Sequence, residues 1–188
     1  MPERDAPAAL VRATLEGPAP AALLDEGLRI VCVNEPWKRF AESGGARADH
    51  PSWAVGASYL DAISSPLRAW YERALRGLLG SREAWHHDYD CSTPELERSF
   101  RLTAYPQTEP ERGLLLVHTC RVERPHPHAG EPVEAYRDAD GLVHVCMHCR
   151  RTQRLDHSGW DWVPSAVEAR RASHGLCQPC SVHYFGVP

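Results

Sequence analysis

Apolar residues in the first two thirds of the chain recur at strand spacing in some segments and at helix spacing in others. Two apolar runs flank an acidic glycine turn at 25–27, and the second run covers 28–33, which predicts a β-hairpin. The segment 66–79, PLRAWYERALRGLL, has a proline near its start and one apolar stripe, and both features predict a helix. A shorter amphipathic helix is predicted for 4–16.

Three more strands are expected after the helix at 66–79, at 84–89, 97–105 and 113–122. ERSFRLTAY alternates as a half-buried strand does, whereas GLLLVHTCRV is apolar enough for a more buried one. Strands at both ends of the segment, with helices grouped between them, predict an α+β domain. Its antiparallel sheet would be covered by helices on one face.

Composition and charge narrow the class of protein. The chain is 43% hydrophobic and 24% charged, as is typical of a soluble globular protein. No apolar run is long enough to cross a bilayer, and the N-terminus lacks the apolar core of a secretory signal, so a cytoplasmic location is expected. A net charge of -4 argues against a general nucleic-acid-binding surface.

Four of the seven cysteines form two C-x2-C pairs: Cys146, Cys149, Cys177 and Cys180. Two residues between thiols allow both sulfurs of a pair to face one ion at about 2.3 Å, and two pairs complete a tetrahedron. Structural zinc is therefore the favoured interpretation. A redox-sensitive zinc or disulfide switch and an iron–sulfur cluster are alternatives. The segment between the pairs needs a further element, and 164–173 predicts a helix there.

Two histidines accompany these cysteines. His148, between the first two thiols, is expected to point outward, and His174 is expected to lie beside the ligands as a hydrogen-bonding partner. The segment 141–188 is too short to bury a large core. A metal would therefore supply much of its folding free energy, on the order of 10 kcal/mol or more.

Four segments follow one another within residues 18–123: DEGLRIVCVNEPWKRFA, VGASYLDAI, DYDCSTPELERSFRLTAYP and GLLLVHTCRVE. In this order they resemble a PAS domain. Ser92 and Ser99 depart from the matching PAS subgroup, which has histidine and tryptophan there. The resemblance implies a five-stranded antiparallel sheet with helices over one face. In this family the space between helices and sheet either holds a small ligand or cofactor or is packed shut.

Five residues are candidates for such a ligand site: Trp37, Phe40, Trp70, Cys91 and His118. Cys91 and His118 match a cysteine and a histidine of the PAS subgroup, and could ligate haem or a metal if they faced inward together. Ordinary core packing is the favoured interpretation for all five. One cysteine and one histidine also make an incomplete set for a closed zinc site.

The segment VCMHCRRTQRLDHSGWDWVPSAVEARRASHGLCQPC resembles a tail that follows PAS or receiver domains in bacterial signalling proteins. The sequence thus predicts an N-terminal helix at 1–17, a PAS-like domain at 18–123, a proline-rich linker at 124–140 and a four-cysteine unit at 141–188.

These features predict a bacterial signalling sensor or adaptor that is not an enzyme, since no set of nucleophile, base and orienting group is evident. A signalling protein is the expected partner, and the N-terminal helix is expected to support a homodimer. The alternatives are a nucleic-acid-binding regulator and a haem or redox sensor. Nucleic-acid binding is disfavoured: the five arginines and three acids of 141–188 give a nearly neutral unit once zinc is held by four thiolates.

Overall fold

The computed structural model describes residues 6–43, 53–63, 65–93, 95–107, 112–125, 132–166 and 169–186. The chain divides into two compact units. The first comprises residues 1–88 and 101–119, and the second comprises 89–100 and 120–188.

The larger sheet has five strands in the order β2-β1-β5-β4-β3. They are β1 (Ala21–Asp25), β2 (Ile30–Val33), β3 (Trp85–Asp90), β4 (Leu96–Gln107) and β5 (Gly113–Pro125). The strand β1 pairs antiparallel with both β2 and β5, with Ala21 opposite Val117. The α+β fold with a five-stranded antiparallel sheet, predicted from the sequence, is confirmed.

Three helices accompany this sheet: α1 (Ala6–Leu15), α2 (Glu35–Ser43) and α3 (Ser65–Leu78). Asn34 fixes the start of α2, because its Oδ1 accepts the backbone N–H of Trp37 at 3.0 Å and that of Ala21 at 2.9 Å. The apolar stripe of α3 is buried at Leu67, Tyr71 and Leu75. No helix among the described residues is both long and apolar enough to span a membrane.

The start of β5 is the most buried part of this sheet, in agreement with its apolar sequence. Leu114, Leu115 and Leu116 are all at most 1% exposed. Gly113 faces the backbone carbonyl of Leu24, where an added Cβ would collide with the oxygen. A glycine is therefore required for β5 to approach β1 closely at this point.

A second sheet lies within the second unit. It contains β6 (Val143–Cys146), β7 (Thr152–Gln153), β8 (Trp160–Asp161) and β9 (Ala172–Gly175), in the order β8-β7-β6-β9. Its core is small and consists of Val143, Val145, Val163 and Ala166. Val133 and Tyr136 pack against this core, so ordered packing begins inside the segment expected to be a linker.

The helix predicted at 164–173 is wrong. Pro164–Ala166 forms a single 3₁₀ turn, and Ala172–Gly175 is β9, which pairs in parallel with β6. Arg171 has a φ of 62°, which a right-handed helix does not allow. Pairing of Ala172 and Ser173 with β6 outweighs the helical propensity of the alanines at the end of this segment.

Candidate metal centre

The parallel pairing of β6 with β9 brings the two cysteine pairs together. Cys146 is the last residue of β6 and lies opposite Gly175 of β9. The chain then enters α4 (Gln178–Phe185), with Cys177 as its N-cap and Cys180 in its first turn. A pair that follows β6 and a pair that follows β9 therefore emerge at the same edge of the sheet.

The four cysteine sulfurs lie within 4.8 Å of one another, and those of Cys149 and Cys177 are 3.7 Å apart. A tetrahedral ion with metal–sulfur bonds of about 2.3 Å has sulfur–sulfur edges of roughly 3.8 Å. Cys146, Cys177 and Cys180 are buried, and Cys149 is half-buried. The four thiols could therefore hold one metal ion, and soft sulfur ligands suit zinc.

The four thiols alter one another's ionisation. The hydrogen bond with the Cys149 thiol, and then the neighbouring backbone N–H groups, lower the pKa of Cys146 to about 4, although burial opposes the shift. The same bond and then burial raise the pKa of Cys149, while burial and then the neighbouring thiols raise the pKa of Cys180 to about 12. Thiols this close can all ionise only if a cation offsets their charge.

His148 was expected to point outward and His174 to lie beside the cysteines, and the structure shows the reverse. His148 does not point outward, because its Nδ1 lies 3.3 Å from the Cys180 sulfur. Its ring also meets that of Tyr184 edge to face, at a centroid distance of 4.9 Å. His174 is exposed on β9, opposite Val145. The hydrogen-bonding partner of the cysteines is therefore His148, and the expectation for His148 was wrong.

Arg150 follows the first cysteine pair and has a φ of 59°. It lies near Asp90 and Cys91, which belong to the same unit of the chain. Burial raises the pKa of both groups, and the Arg150 charge partly counteracts it. The net effect on Cys91 is a raised pKa, so burial keeps its thiol protonated and unreactive.

The candidate ligand-site residues of the PAS-like part fall into different places. His118 is 4% exposed. The centroid of its ring lies 5.3 Å from that of Trp37 and 5.5 Å from that of Phe40. Burial lowers the pKa of His118 to about 3, so its imidazole is neutral at physiological pH. Cys91 belongs to the second unit, whereas His118 belongs to the first. A ligand-binding role for these residues remains a prediction.

Trp70, the remaining candidate, is half-buried in a second aromatic group. Its ring lies 5.2 Å from Tyr71, 5.6 Å from Trp85 and 4.8 Å from His87. Trp85 and His87 were missed as partners in the sequence. Their spacing of two places them on one face of β3, which is the signal that could have identified them.

No protein-family model and no curated protein matches the chain. Among solved structures, it is similar to the PAS domain of BvgS from Bordetella pertussis, with a TM-score of 0.47 and 18% identity over 62% of this chain and 87% of that one. It is similar to a phage VqmA in complex with DPO, with a TM-score of 0.43 and 17% identity over 60% of this chain and 51% of that one.

A sensory box sensor histidine kinase from Vibrio cholerae is also similar, with a TM-score of 0.41 and 14% identity over 63% of this chain and 94% of that one. The matched region covers about half of the VqmA chain. Solved structures similar to this chain therefore include PAS domains.

Proposed function

We propose that the chain is a sensor or adaptor of bacterial signalling. A PAS-like domain at 18–123 would take up a signal, as ligand or as partner. The unit at 141–188, folded around zinc, would contact a separate signalling protein. The observation that carries the proposal is the convergence of four cysteine sulfurs within 4.8 Å of one another.

The sulfur arrangement favours one ion over the iron–sulfur alternative. The inorganic core of a multi-iron cluster must fit between the cysteine sulfurs and holds them farther apart than a single ion does. The separation of 3.7 Å between Cys149 and Cys177 matches one tetrahedral ion closely. Zinc is the ion that such closed four-cysteine sites hold most often in structural units.

The size of the second core explains why this part of the chain needs a metal. Val143, Val145, Val163 and Ala166 are small side chains, and they bury little apolar surface on folding. Small units of this kind draw on metal binding for their stability. The four thiols thus have a structural role that requires no catalysis.

The sensor role rests on the PAS-like sequence segments and on the sheet in which they lie. The matching segments fall on β2 and α2, on a 3₁₀ helix at Tyr59–Ala62, on the β3–β4 hairpin and on β5, in the order that the resemblance requires. Trp37, Phe40 and His118 form the aromatic group where such a domain would bind a small ligand. Dimer formation through α1 is part of the same proposal.

Contacts within the second unit do not favour nucleic-acid binding. Arg154 forms a two-pronged ion pair with Asp161, with N–O distances of 2.6 and 2.7 Å. Arg171 donates to the backbone carbonyl of Asp140 at 2.7 Å. Arginines engaged in this way contribute less to a phosphate-binding surface.

A cleft of about 570 Å³ beside Cys177 is lined in part by Arg151 and Trp160, residue types enriched at protein interfaces.

The test is metal analysis of the purified chain by mass spectrometry, together with an absorption spectrum and chelator-induced unfolding. One zinc per chain and no visible colour are expected. Cys177→Ser should lose the zinc and the stability of the second unit. Cys120→Ser is the matched control, because Cys120 is an exposed cysteine outside the cluster and its loss should leave the zinc in place.

A metal-free chain that is as stable after chelation as before would overturn the zinc proposal. A Soret band would instead support a haem site, and a broad brown absorption would support an iron–sulfur cluster. Binding of DNA or RNA at low salt, weakening as salt rises, would favour the nucleic-acid alternative over the adaptor role.

A further inference from the structure

His148 belongs to the first cysteine pair in sequence and reaches the second pair in space. Its Nδ1 lies 3.3 Å from the sulfur of Cys180, a residue 32 positions further along the chain. The ring is half-buried, so water competes only partly for this nitrogen. His148 therefore stands between the two cysteines of the first pair in sequence and contacts a sulfur of the second pair.

The helix α4 holds the ring in this orientation. Cys180 and Tyr184 are four residues apart in α4, so their side chains lie on the same face of the helix. Tyr184 is 4% exposed and meets the His148 ring at an interplanar angle of 77°. Edge-to-face contact of this kind favours one ring orientation over others. The Cys180 sulfur and the Tyr184 ring, which orients His148, therefore lie on one face of α4.

We propose that His148 is a positioning residue of the metal centre, whose Nδ1–H donates a hydrogen bond to the Cys180 sulfur and retards loss of the metal. The inference rests on the proposed metal site. A metal-bound thiolate has no proton to donate, so the contact requires the proton on Nδ1. Donation withdraws negative charge from the sulfur, which makes it less reactive towards protons and alkylating reagents.

The role of His148 can be tested by substitution, because the proposed donor belongs to its side chain. Removing an outer partner of a metal ligand typically weakens metal binding by about 10- to 100-fold. His148→Leu removes the donor and keeps much of the volume. His148→Asn keeps an N–H donor near the position of Nδ1. The two variants separate loss of the hydrogen bond from loss of the ring.

The experiment uses the full, zinc-loaded chain. Zinc transfer to an excess of a coloured chelator is timed, and alkylation of each cysteine by iodoacetamide is followed by peptide mass spectrometry. His148→Leu should release zinc about 10-fold faster than the unmodified chain, with Cys180 alkylated earlier than in that chain. His148→Asn should release zinc at a rate within about 3-fold of the unmodified chain, since it restores a donor to the sulfur.

Equally faster zinc release in both variants would show that the ring acts by packing alone, and it would overturn the inference. An unchanged rate of zinc release in His148→Leu would overturn it as well. A measurement on the unmodified chain tests the inference even if a variant fails to fold. The ¹⁵N spectrum of the histidine rings should show Nδ1 of His148 protonated in the zinc form. A proton on Nε2 alone would refute it.

The outcome also separates this inference from the proposed metal site. If the unmodified chain holds no metal, the metal site itself fails. If it holds one zinc ion and releases it at the same rate in every His148 variant, the metal site stands and the role of His148 fails.

Discussion

Acidification should destabilise the first unit through the buried side chain of His118. His118 is enclosed by the rings of Trp37 and Phe40, and burial lowers its pKa from 6.5 to about 3. The folded chain then takes up a proton at His118 only near pH 3, whereas the unfolded chain takes it up near pH 6.5. Between these values the unfolded state binds more protons, so stability falls as the pH falls.

The magnitude follows from the two pKa values. Between pH 7.5 and pH 5.5 the unfolded histidine becomes mostly protonated, while the folded one stays neutral. The proton uptake by the unfolded state lowers the free energy of unfolding by about 1.4 kcal/mol over this range. Above pH 7.5 the histidine makes no further difference, because it is neutral in both states.

Urea unfolding at both pH values, followed by tryptophan fluorescence in excess zinc, measures the effect. His118→Gln removes the titrating ring and should lose about 1.4 kcal/mol less than the unmodified chain on acidification. Protonation of the thiols contributes alike in both proteins and cancels in the comparison. His86→Gln is the control, because it removes an exposed histidine of β3 and leaves the buried rings untouched.

Equal losses in the unmodified chain and in His118→Gln would refute the reasoning. Such a result would mean that His118 is already solvated in the folded chain, as it would be if it faced an open, water-filled cavity.

Two further substitutions test how the first unit is built, and chemical denaturation measures both. Asn34→Ala should lower the free energy of unfolding by about 2 kcal/mol, since two buried N–H groups lose their acceptor; an unchanged value would contradict its role in starting α2. Gly113→Ala should cost about 2 kcal/mol, because its Cβ collides with the Leu24 carbonyl. The control is Gly77→Ala in α3, where a Cβ has open space, and it should raise the free energy of unfolding by about 0.5 to 1 kcal/mol. If Gly113→Ala also raised the free energy of unfolding, the predicted collision would be excluded.

Local patterns were sufficient where one segment determines its own structure. Alternation along ERSFRLTAY and the apolar GLLLVHTCRV predicted β4 and β5, because side chains of a strand face opposite sides in turn. The spacing of each cysteine pair predicted that its two sulfurs would face one point, since two intervening residues form a tight turn.

Predictions failed where distant segments compete for the same backbone or side chain. The alanine-rich segment 164–173 has helical propensity, but its end, from Ala172, pairs in parallel with β6 instead. His148 was expected to point outward, and the ring instead finds the Cys180 sulfur and the face of Tyr184. Neither competitor is visible in the neighbouring residues.

The sequence by itself determined the α+β class, the five-stranded sheet and the tight turn within each cysteine pair. These follow from periodicity and spacing, which act over a few residues. Only the tertiary structure decided that a parallel β6–β9 pair brings the two cysteine pairs together, that His148 contacts Cys180, and that His118 is buried among aromatic rings. Each of these depends on burial and on contacts between residues far apart in the chain, which no local pattern encodes.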